Sequence, residues 1–280
     1  MKNIYLENGE YGSKAIVTGA WSSDMVNFIL TNNVVELELN DGLGWQGDDI
    51  SFLKDLPQLL AFEIVDLKIK NISPVHFLHC LRELKITTYC KTEIRFSEFP
   101  LLVSCAIEWR PKAISLFNCT QLRKLFLNRY DGKDLSLFTN LINLESFAVL
   151  GSQIQSLHGI RSLQKITYLR LANLKKLSSL SEIECLSEIE DLDINTCVRI
   201  KSIEEIANLK NLRNLALNNI GDLDSLQPLK NLNKLESILF YESTNIVDGD
   251  LSCLLDKKNL TKVSFQNRKH YSHKRELILS

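Results

Sequence analysis

The sequence predicts an α/β solenoid of about eleven units, each 20–25 residues long. The first observation is a six-residue pattern with apolar residues at its first, fourth and sixth positions, seen in LRNLAL from Leu212 to Leu217. The second is the recurrence of this pattern at intervals of 20 to 25 residues between residues 34 and 265. The third is a different apolar spacing, of three residues, between the copies. A period in the low twenties, sustained over many copies, is typical of a solenoid.

Each copy of the pattern predicts a short β-strand. The fourth and sixth positions alternate with polar ones, as in a strand with one buried face. The first, fourth and sixth positions are Val34/Leu37/Leu39, Leu59/Phe62/Ile64, Leu81/Leu84/Ile86, Leu102/Cys105/Ile107, Leu122/Leu125/Leu127, Leu144/Phe147/Val149, Ile166/Leu169/Leu171, Ile189/Leu192/Ile194, Leu212/Leu215/Leu217, Leu235/Ile238/Phe240 and Leu260/Val263/Phe265. Side chains at the third, fifth and seventh positions point away from the core, so stacked strands would form a parallel sheet that carries them on its concave face.

The stretches between the strands predict short 3₁₀ or helical segments on the convex side. From Ile200, apolar residues follow at every third position, at Ile203, Ile206, Leu209 and Leu212. This spacing fits a 3₁₀ helix, whose side chains eclipse at i and i+3, better than the mixed spacing of an α-helix. Because no unit can bury its apolar face alone, stacking must bury all of them together.

These units resemble the leucine-rich repeat family, with short repeats like those of bacterial internalins and phosphatase-regulatory repeat proteins. The resemblance covers roughly residues 34–267 and implies a unit of strand, turn and convex segment. The family usually places Asn at the ninth position of the unit. This chain instead has Tyr89, Tyr130, Ser152, Leu174, Cys197, Ile220 and Ser243 there. We therefore expect no asparagine ladder in this register, and the loop backbone groups must find other partners.

The two ends of the chain are predicted to cap a single structural domain. The solenoid spans residues 34–267, with an N-terminal cap over 1–33 and a C-terminal cap over 268–280. An open solenoid end exposes core, which a cap must cover. The apolar residues expected to cover the first repeat are Ile4, Leu6, Ile16, Val17 and Trp21. A short helix is predicted over 25–30, with Ser22 or Ser23 as its N-cap.

Composition and charge argue against several functional classes. The formal net charge is −1, so the chain lacks the global basic field of nucleic-acid-binding proteins. No apolar run approaches the ~20 residues needed to cross a bilayer, and the first residues, MKNIYLENGEYG, lack a signal-peptide pattern. Seven cysteines without a CxxC pair indicate a reducing compartment, so we expect a cytoplasmic protein.

The charge is unevenly distributed along the chain. Residues 1–66 carry a net charge of −8, whereas residues 257–280 carry +6. One interpretation is that both ends are simply solvated caps. The other is a polarised surface that steers a charged protein partner.

No motif in the sequence predicts catalysis or metal binding. His76, His79 and Cys80 lack a second ligand cluster, and their apolar neighbours favour a packed convex segment. The acidic loop at 41–49 lacks the ligand spacing and closing Glu of a calcium loop. His270 and His273 have no nucleophile or carboxylate pair in a predictable geometry. We expect no enzyme activity, no cofactor and no metal.

The concave face is the predicted binding surface for another protein. Aromatic residues and Arg dominate interface energetics, and several occur near the middle of the array. The predicted contact residues are Trp109, Phe126, Arg129, Tyr130, Leu150, Tyr168, Arg170, Asp193 and Tyr241. Alanines at four neighbouring positions would keep this surface open. The alternative is that scattered exposed aromatics are ordinary on any protein surface.

Two functions are compatible with such a surface. The segments YGSKAIVTGAW and NRKHYSHKREL look like those of stand-alone bacterial leucine-rich repeat proteins, which implies an immunity protein that neutralises a toxin. The alternative is a regulatory or scaffold subunit that binds a cellular enzyme. In both cases the partner is another protein, with no nucleic acid and no membrane. We expect the chain itself to be a monomer or a weak dimer.

Overall fold

The computed structural model describes residues 3–255 and 257–279. The chain divides into two compact units between Leu125 and Phe126, and strand β7 (Lys124–Asn128) contains this division. All eleven predicted strands are present, each covering the fourth and sixth positions of its repeat. The period of the apolar pattern therefore locates every repeat strand correctly.

Unit 1, the N-terminal unit, contains six further strands and one α-helix. In chain order these are β1 (Ile4–Asn8), β2 (Ser13–Val17), α1 (Asp24–Thr31), β3 (Val34–Asn40), β4 (Ala61–Val65), β5 (Glu83–Thr87) and β6 (Ser104–Glu108). Strands β1 and β2 pair antiparallel, and β2 to β6 then pair in parallel, each with the next. The 3₁₀ helices are Asp41–Leu43, Ser51–Asp55, Ser73–Phe77, Phe96–Glu98 and Pro111–Asn118.

Unit 2, the C-terminal unit, follows the same plan. Its strands are β8 (Ser146–Leu150), β9 (Tyr168–Ala172), β10 (Asp191–Asn195), β11 (Asn214–Asn218), β12 (Asp222–Leu223), β13 (Ser237–Phe240), β14 (Asn245–Ile246) and β15 (Lys262–Phe265). Strands β8, β9, β10, β11, β13 and β15 pair in parallel in that order, and β12 pairs with β14. The 3₁₀ helices are Ser136–Asn140, Ile160–Ser162, Ile183–Cys185, Glu204–Asn208, Gln227–Leu229, Ser252–Leu254 and Arg275–Leu277.

The core lies between the sheet and the 3₁₀ segments. Leu169, Leu192 and Leu215 are direct neighbours across β9, β10 and β11, and none is more than 2% exposed. On the opposite side, Ile206 and Leu209 are fully buried. The burial predicted from the spacing of three is therefore present, because this spacing places the apolar side chains of each 3₁₀ segment in one row that faces the sheet.

A backbone ladder in unit 2 takes the place of the missing asparagine ladder. The residue after the seventh position has a positive φ in six successive repeats: Arg129 (59°), Gly151 (57°), Asn173 (55°), Thr196 (52°), Asn219 (53°) and Glu242 (59°). In the first five, its N–H donates to the carbonyl at the seventh position of the next repeat, over 2.8 to 3.1 Å. These bonds satisfy the loop backbone groups where the strands end.

In unit 1, two buried polar side chains bond the loop backbone. The Asp66 carboxylate accepts two backbone N–H groups through Oδ1, and the Trp45 indole donates to Oδ2 over 3.1 Å. The Arg110 guanidinium, 5% exposed, donates to the Cys90 carbonyl over 2.7 Å. In these loops different side chains thus form the hydrogen bonds to the backbone that a repeated Asn would otherwise form.

The N-terminal segment forms more sheet than the sequence predicts. Ile4, Ile16 and Val17 are buried as expected, but they lie on β1 and β2, which pair onto β3. Leu6 is 39% exposed, so the expectation that it covers the core is wrong. In β1, at the edge of the sheet, only Ile4 is buried, and every residue from Tyr5 to Asn8 is exposed, so the core does not extend to Leu6.

The predicted helix is confirmed as α1, and so is Ser23 as its N-cap residue. The Ser23 side chain makes no capping hydrogen bond. Burial of the Met25 and Ile29 side chains stabilises the helix through packing. Just before it, the Trp21 ring stacks on Phe52 with centroids 3.4 Å apart.

Candidate functional site

The side of the sheet opposite the core carries six of the predicted contact residues of unit 2, namely Phe126, Leu150, Tyr168, Arg170, Asp193 and Tyr241. We call this surface the unit 2 open face. It comprises Phe126, Ala148, Leu150, Tyr168, Arg170, Asp191, Asp193, Asn195, Asn214, Ala216, Asn218, Leu239, Tyr241, Lys262 and Ser264. Because the pairing is parallel and in register, side chains at equal repeat positions lie side by side.

An apolar patch occupies one end of this face. The Phe126 side chain on β7 is 40% exposed, although Phe is a residue usually buried. Leu150 on β8 and Tyr168 on β9 are half-buried. Ala148 lies opposite Arg170 in the register, so a methyl group leaves space beside the long guanidinium side chain. The structure therefore places four predicted contact residues on three successive strands.

Arg170 and Asp193 form an ion pair next to the apolar patch. They are direct neighbours across β9 and β10, with Arg170 Nε 3.2 Å from Asp193 Oδ2. Burial raises the pKa of the Asp193 carboxyl, and the Arg170 charge partly opposes this shift. Neither Arg170 Nε nor Asp193 Oδ1 has a hydrogen-bond partner among the described residues. The pair is thus held by charge, and these two atoms are buried, so any contact with a partner must use the exposed part of the two side chains.

Tyr241 lies well away from that patch. Strands β8 to β11 separate β7 from β13, so roughly 24 Å lies between Tyr241 and Phe126 at ~4.8 Å per strand. The Tyr241 hydroxyl is hydrogen-bonded to Ser264 Oγ. This bond, and then the nearby Arg275 charge, lower the pKa of Tyr241.

Two other predicted contact residues occupy turns after their strands. Trp109 belongs to unit 1, follows β6 and is half-buried, with its ring centroid 5.5 Å from that of Phe117. Arg129 belongs to unit 2, follows β7 and is exposed. Its backbone N–H is used in the ladder, where it donates to the Leu150 carbonyl over 2.8 Å.

The prediction that the Tyr130 side chain contacts a partner is wrong. Tyr130 is 2% exposed and packs edge-on against Phe138, with centroids 5.3 Å apart. Burial raises the pKa of its hydroxyl to about 12. The cause is local, since the left-handed residue before it turns the ninth position of the repeat into the core. The sequence did indicate that the ninth position of the repeat is buried, because two other repeats have the apolar residues Leu174 and Ile220 there.

The corresponding face of unit 1 is acidic. None of its carboxylates was among the predicted contact residues. Lys14 Nζ bonds Glu38 (2.6 Å) and Glu7 (3.2 Å). Lys85 Nζ lies 2.7 Å from Glu83 and 3.7 Å from Glu63. Burial raises the pKa of the Glu63 carboxyl, and the neighbouring carboxylates add to this shift. Glu38, Glu63 and Glu83 stand at third or fifth positions of the repeats, so the strand pattern locates them too, whereas Glu7 lies on β1, before the first repeat.

The comparison with solved structures agrees with this architecture. The internalin InlF from Listeria monocytogenes superposes with a TM-score of 0.61 and is 22% identical, over 92% of this chain and 83% of InlF. The chain has the leucine-rich repeat fold. The internalin InlC2 from the same organism gives a TM-score of 0.41 at 19% identity, over 81% of this chain and 80% of its own. No protein-family model and no curated protein sequence matches the chain.

The described part of these leucine-rich repeats holds no cluster of metal-ligating side chains. Within residues 3–255 and 257–279, no group of three or more His, Cys, Asp or Glu side chains could hold a metal ion. His76 Nε2 already accepts the Arg95 N–H over 3.0 Å. In the same described ranges, no helix is long and apolar enough to cross a membrane. What the leucine-rich repeats do present is a sheet face with exposed aromatic and charged side chains.

Proposed function

We propose that this chain is a non-enzymatic protein-binding module and that the unit 2 open face contacts the partner. The observation that supports this most directly is Phe126, which is 40% exposed on a sheet face beside Leu150 and Tyr168. Exposed aromatic side chains that become buried in a complex are typical of the residues that dominate binding energy. The leucine-rich repeat fold supports the proposal as an analogy only.

The patch offers two kinds of contact to a partner. Phe126, Leu150 and Tyr168 supply apolar area that gains free energy when water is removed from it. Arg170 and Asp193 supply a partly exposed ion pair, whose charges favour one orientation of the partner. Trp109, Arg129 and Tyr241 remain further proposed contact residues outside this patch.

The double variant F126A/Y168A tests the proposal. We expect it to lose capture of the partner from the native lysate, with affinity roughly 700-fold weaker if each side chain contributes ~2 kcal/mol. Its melting temperature should stay close to that of the wild type, because neither side chain belongs to the core.

The matched control is L137A/I142A. Both side chains are exposed apolar residues of unit 2 outside the open face, at 46% and 52% exposure. This control should retain the partner. Equal capture by F126A/Y168A and the wild type would show that the partner binds elsewhere.

We propose that the partner is a toxin and that the chain acts as a bacterial immunity protein. The support is the resemblance of its end segments to those of stand-alone bacterial leucine-rich repeat proteins. The alternative is a regulatory or scaffold subunit that holds a cellular enzyme. Measuring the activity of the purified partner with and without this chain separates them. Loss of activity supports the toxin-neutralising function, and a partner that stays active with altered specificity supports the scaffold.

We further propose that the chain works in the cytoplasm as a monomer or weak dimer. All seven cysteines are free thiols, which a reducing compartment would preserve. Fractionation of the source cells tests the location. Sedimentation over a range of concentrations tests the oligomeric state.

A further inference from the structure

The last repeat of unit 2 carries cations that its own chain does not neutralise. Residues 257–280 contain seven Lys or Arg residues and one Glu. Two of the cations serve the fold. Lys257 Nζ bonds three backbone carbonyls over 2.7 to 3.3 Å, and Arg268 donates to the Thr244 carbonyl over 3.0 Å. The single acid, Glu276, lies 3.4 Å from Arg275.

The other lysines of this segment are free of ion pairs within the part of the chain that the structure describes. They are exposed at Lys258, Lys262, Lys269 and Lys274. The nearby Asp250 is directed elsewhere, since its carboxylate accepts the Ser252 N–H and the Gln227 side-chain amide. Excess positive charge therefore remains at this end of unit 2.

Part of this charge borders the unit 2 open face. Lys262 holds the third position of β15 and lies opposite Ser237 in the register. Arg275 is close enough to Tyr241 to act on its hydroxyl, which is itself bonded to Ser264. We call Lys262, Arg275 and the exposed residue that precedes Arg275 in the chain, Lys274, the basic edge. It combines cations with hydroxyl groups, the donors that suit carboxylates.

We propose that the basic edge binds an acidic polypeptide segment of the partner. This inference deepens the proposed function, because it assigns a charge to the protein held on the same sheet face. The exposed cations of the basic edge attract carboxylates of a partner. Such electrostatic complementarity fixes the orientation of the partner and speeds association.

A protein segment fits the surroundings better than a nucleic acid does. Nucleic-acid binders neutralise a run of phosphates, commonly about 6–10 of them. Here the net charge of the chain is −1, and the same face continues towards Asp191 and Asp193. Those carboxylates would repel a phosphate backbone laid along the sheet.

The test uses the full chain and a synthetic peptide of alternating Glu and Gly with blocked ends. Its affinity is measured by fluorescence anisotropy at low and high salt, beside a DNA duplex and anionic phosphatidylserine vesicles. We expect saturable peptide binding that weakens with salt. We expect K262Q/K274Q to weaken it about fivefold, as two exposed charge contacts would.

The matched control is K175Q/K176Q, which removes the same charge from two exposed lysines elsewhere in unit 2. It should change the affinity for the peptide less than about twofold, because distant charges act on the peptide only through a field that salt screens. Equal weakening in both variants, no saturable binding, or tighter binding of DNA or vesicles than of the peptide would each overturn the inference.

The two proposals can fail separately. F126A/Y168A should bind the acidic peptide like the wild type, because neither side chain belongs to the basic edge. If F126A/Y168A also keeps the natural partner, the proposed function fails while the basic edge stands. If only the peptide result fails, the apolar patch stands.

Discussion

Arg170 and Asp193 face each other across β9 and β10, with Nε 3.2 Å from Oδ2, yet burial keeps the pKa of Asp193 above its ordinary value. The contact is therefore an attraction that only partly offsets the cost of removing a carboxylate from water. Removing the Arg170 side chain tests how far its charge offsets the cost of burying the Asp193 carboxylate.

R170A should destabilise the protein more at pH 7 than at pH 3. Without the guanidinium, the folded-state pKa of Asp193 rises further above its ordinary 3.8. A raised folded pKa means that the folded state binds more protons than the unfolded state, so stability falls as pH rises through that window. We expect a difference of about 1 kcal/mol or less, measured by urea unfolding at both pH values.

The control is R170A/D193N, which should show no such pH dependence from this site. If R170A loses the same stability at both pH values, the ion pair does not act through the ionisation of Asp193.

Y130A should lower the free energy of unfolding far more than F126A, because Tyr130 lies in the core and Phe126 on the surface. Tyr130 is 2% exposed, so its truncation leaves a cavity and should cost about 3–5 kcal/mol. Phe126 is 40% exposed and its truncation should change stability by only about 0.5 kcal/mol. Urea denaturation of both variants measures this. Similar costs for the two would mean that the ninth repeat position does not point into the core.

E63Q should stabilise the protein at pH 7 but not at pH 3. Burial and the neighbouring acids raise the folded pKa of Glu63 above its ordinary 4.5. The charged form therefore lowers stability once the pH exceeds both values, and this cost disappears as the pH falls below 4.5. Thermal melting of E63Q and wild type between pH 3 and 7 measures it. An unchanged or lower melting temperature at pH 7 would show that Lys85 compensates fully.

Y271A should destabilise the last repeat of unit 2. The Tyr271 ring lies 5.9 Å from that of Phe265 and 6.3 Å from that of Phe240, and its hydroxyl accepts the Ile246 N–H over 3.1 Å. We expect a loss of about 2–4 kcal/mol and increased aggregation, because these contacts cover apolar surface.

Lys269 is exposed and makes a suitable control for this region. K269A should melt like the wild type. Deletion of residues 268–280 should reproduce the defect of Y271A, if this segment caps the solenoid as we propose. A deletion variant that melts normally would exclude a capping function.

The repeats could be predicted from the sequence alone, because their apolar pattern is local and periodic. A strand with one buried face must alternate, and a 3₁₀ segment must present every third residue to the core. Eleven copies of this pattern locate the eleven repeat strands, including the one in which Cys105 replaces a larger apolar residue. The open-face positions of Phe126, Tyr168 and Arg170 follow from the same alternation.

The conformation of the turns after the strands could not be predicted in this way, because it depends on contacts between residues distant in sequence. Tyr130 looks like an interface residue by composition, but the left-handed backbone at Arg129 turns its ring into the core. The N-terminal strands were missed for a related reason, since β2 exists by pairing with β3 and not by its own pattern. Backbone conformation after a strand and pairing between distant segments depend on neighbours in space. A repeat pattern therefore predicts which residues face outwards along each strand, whereas packing between repeats decides which of them a partner can reach.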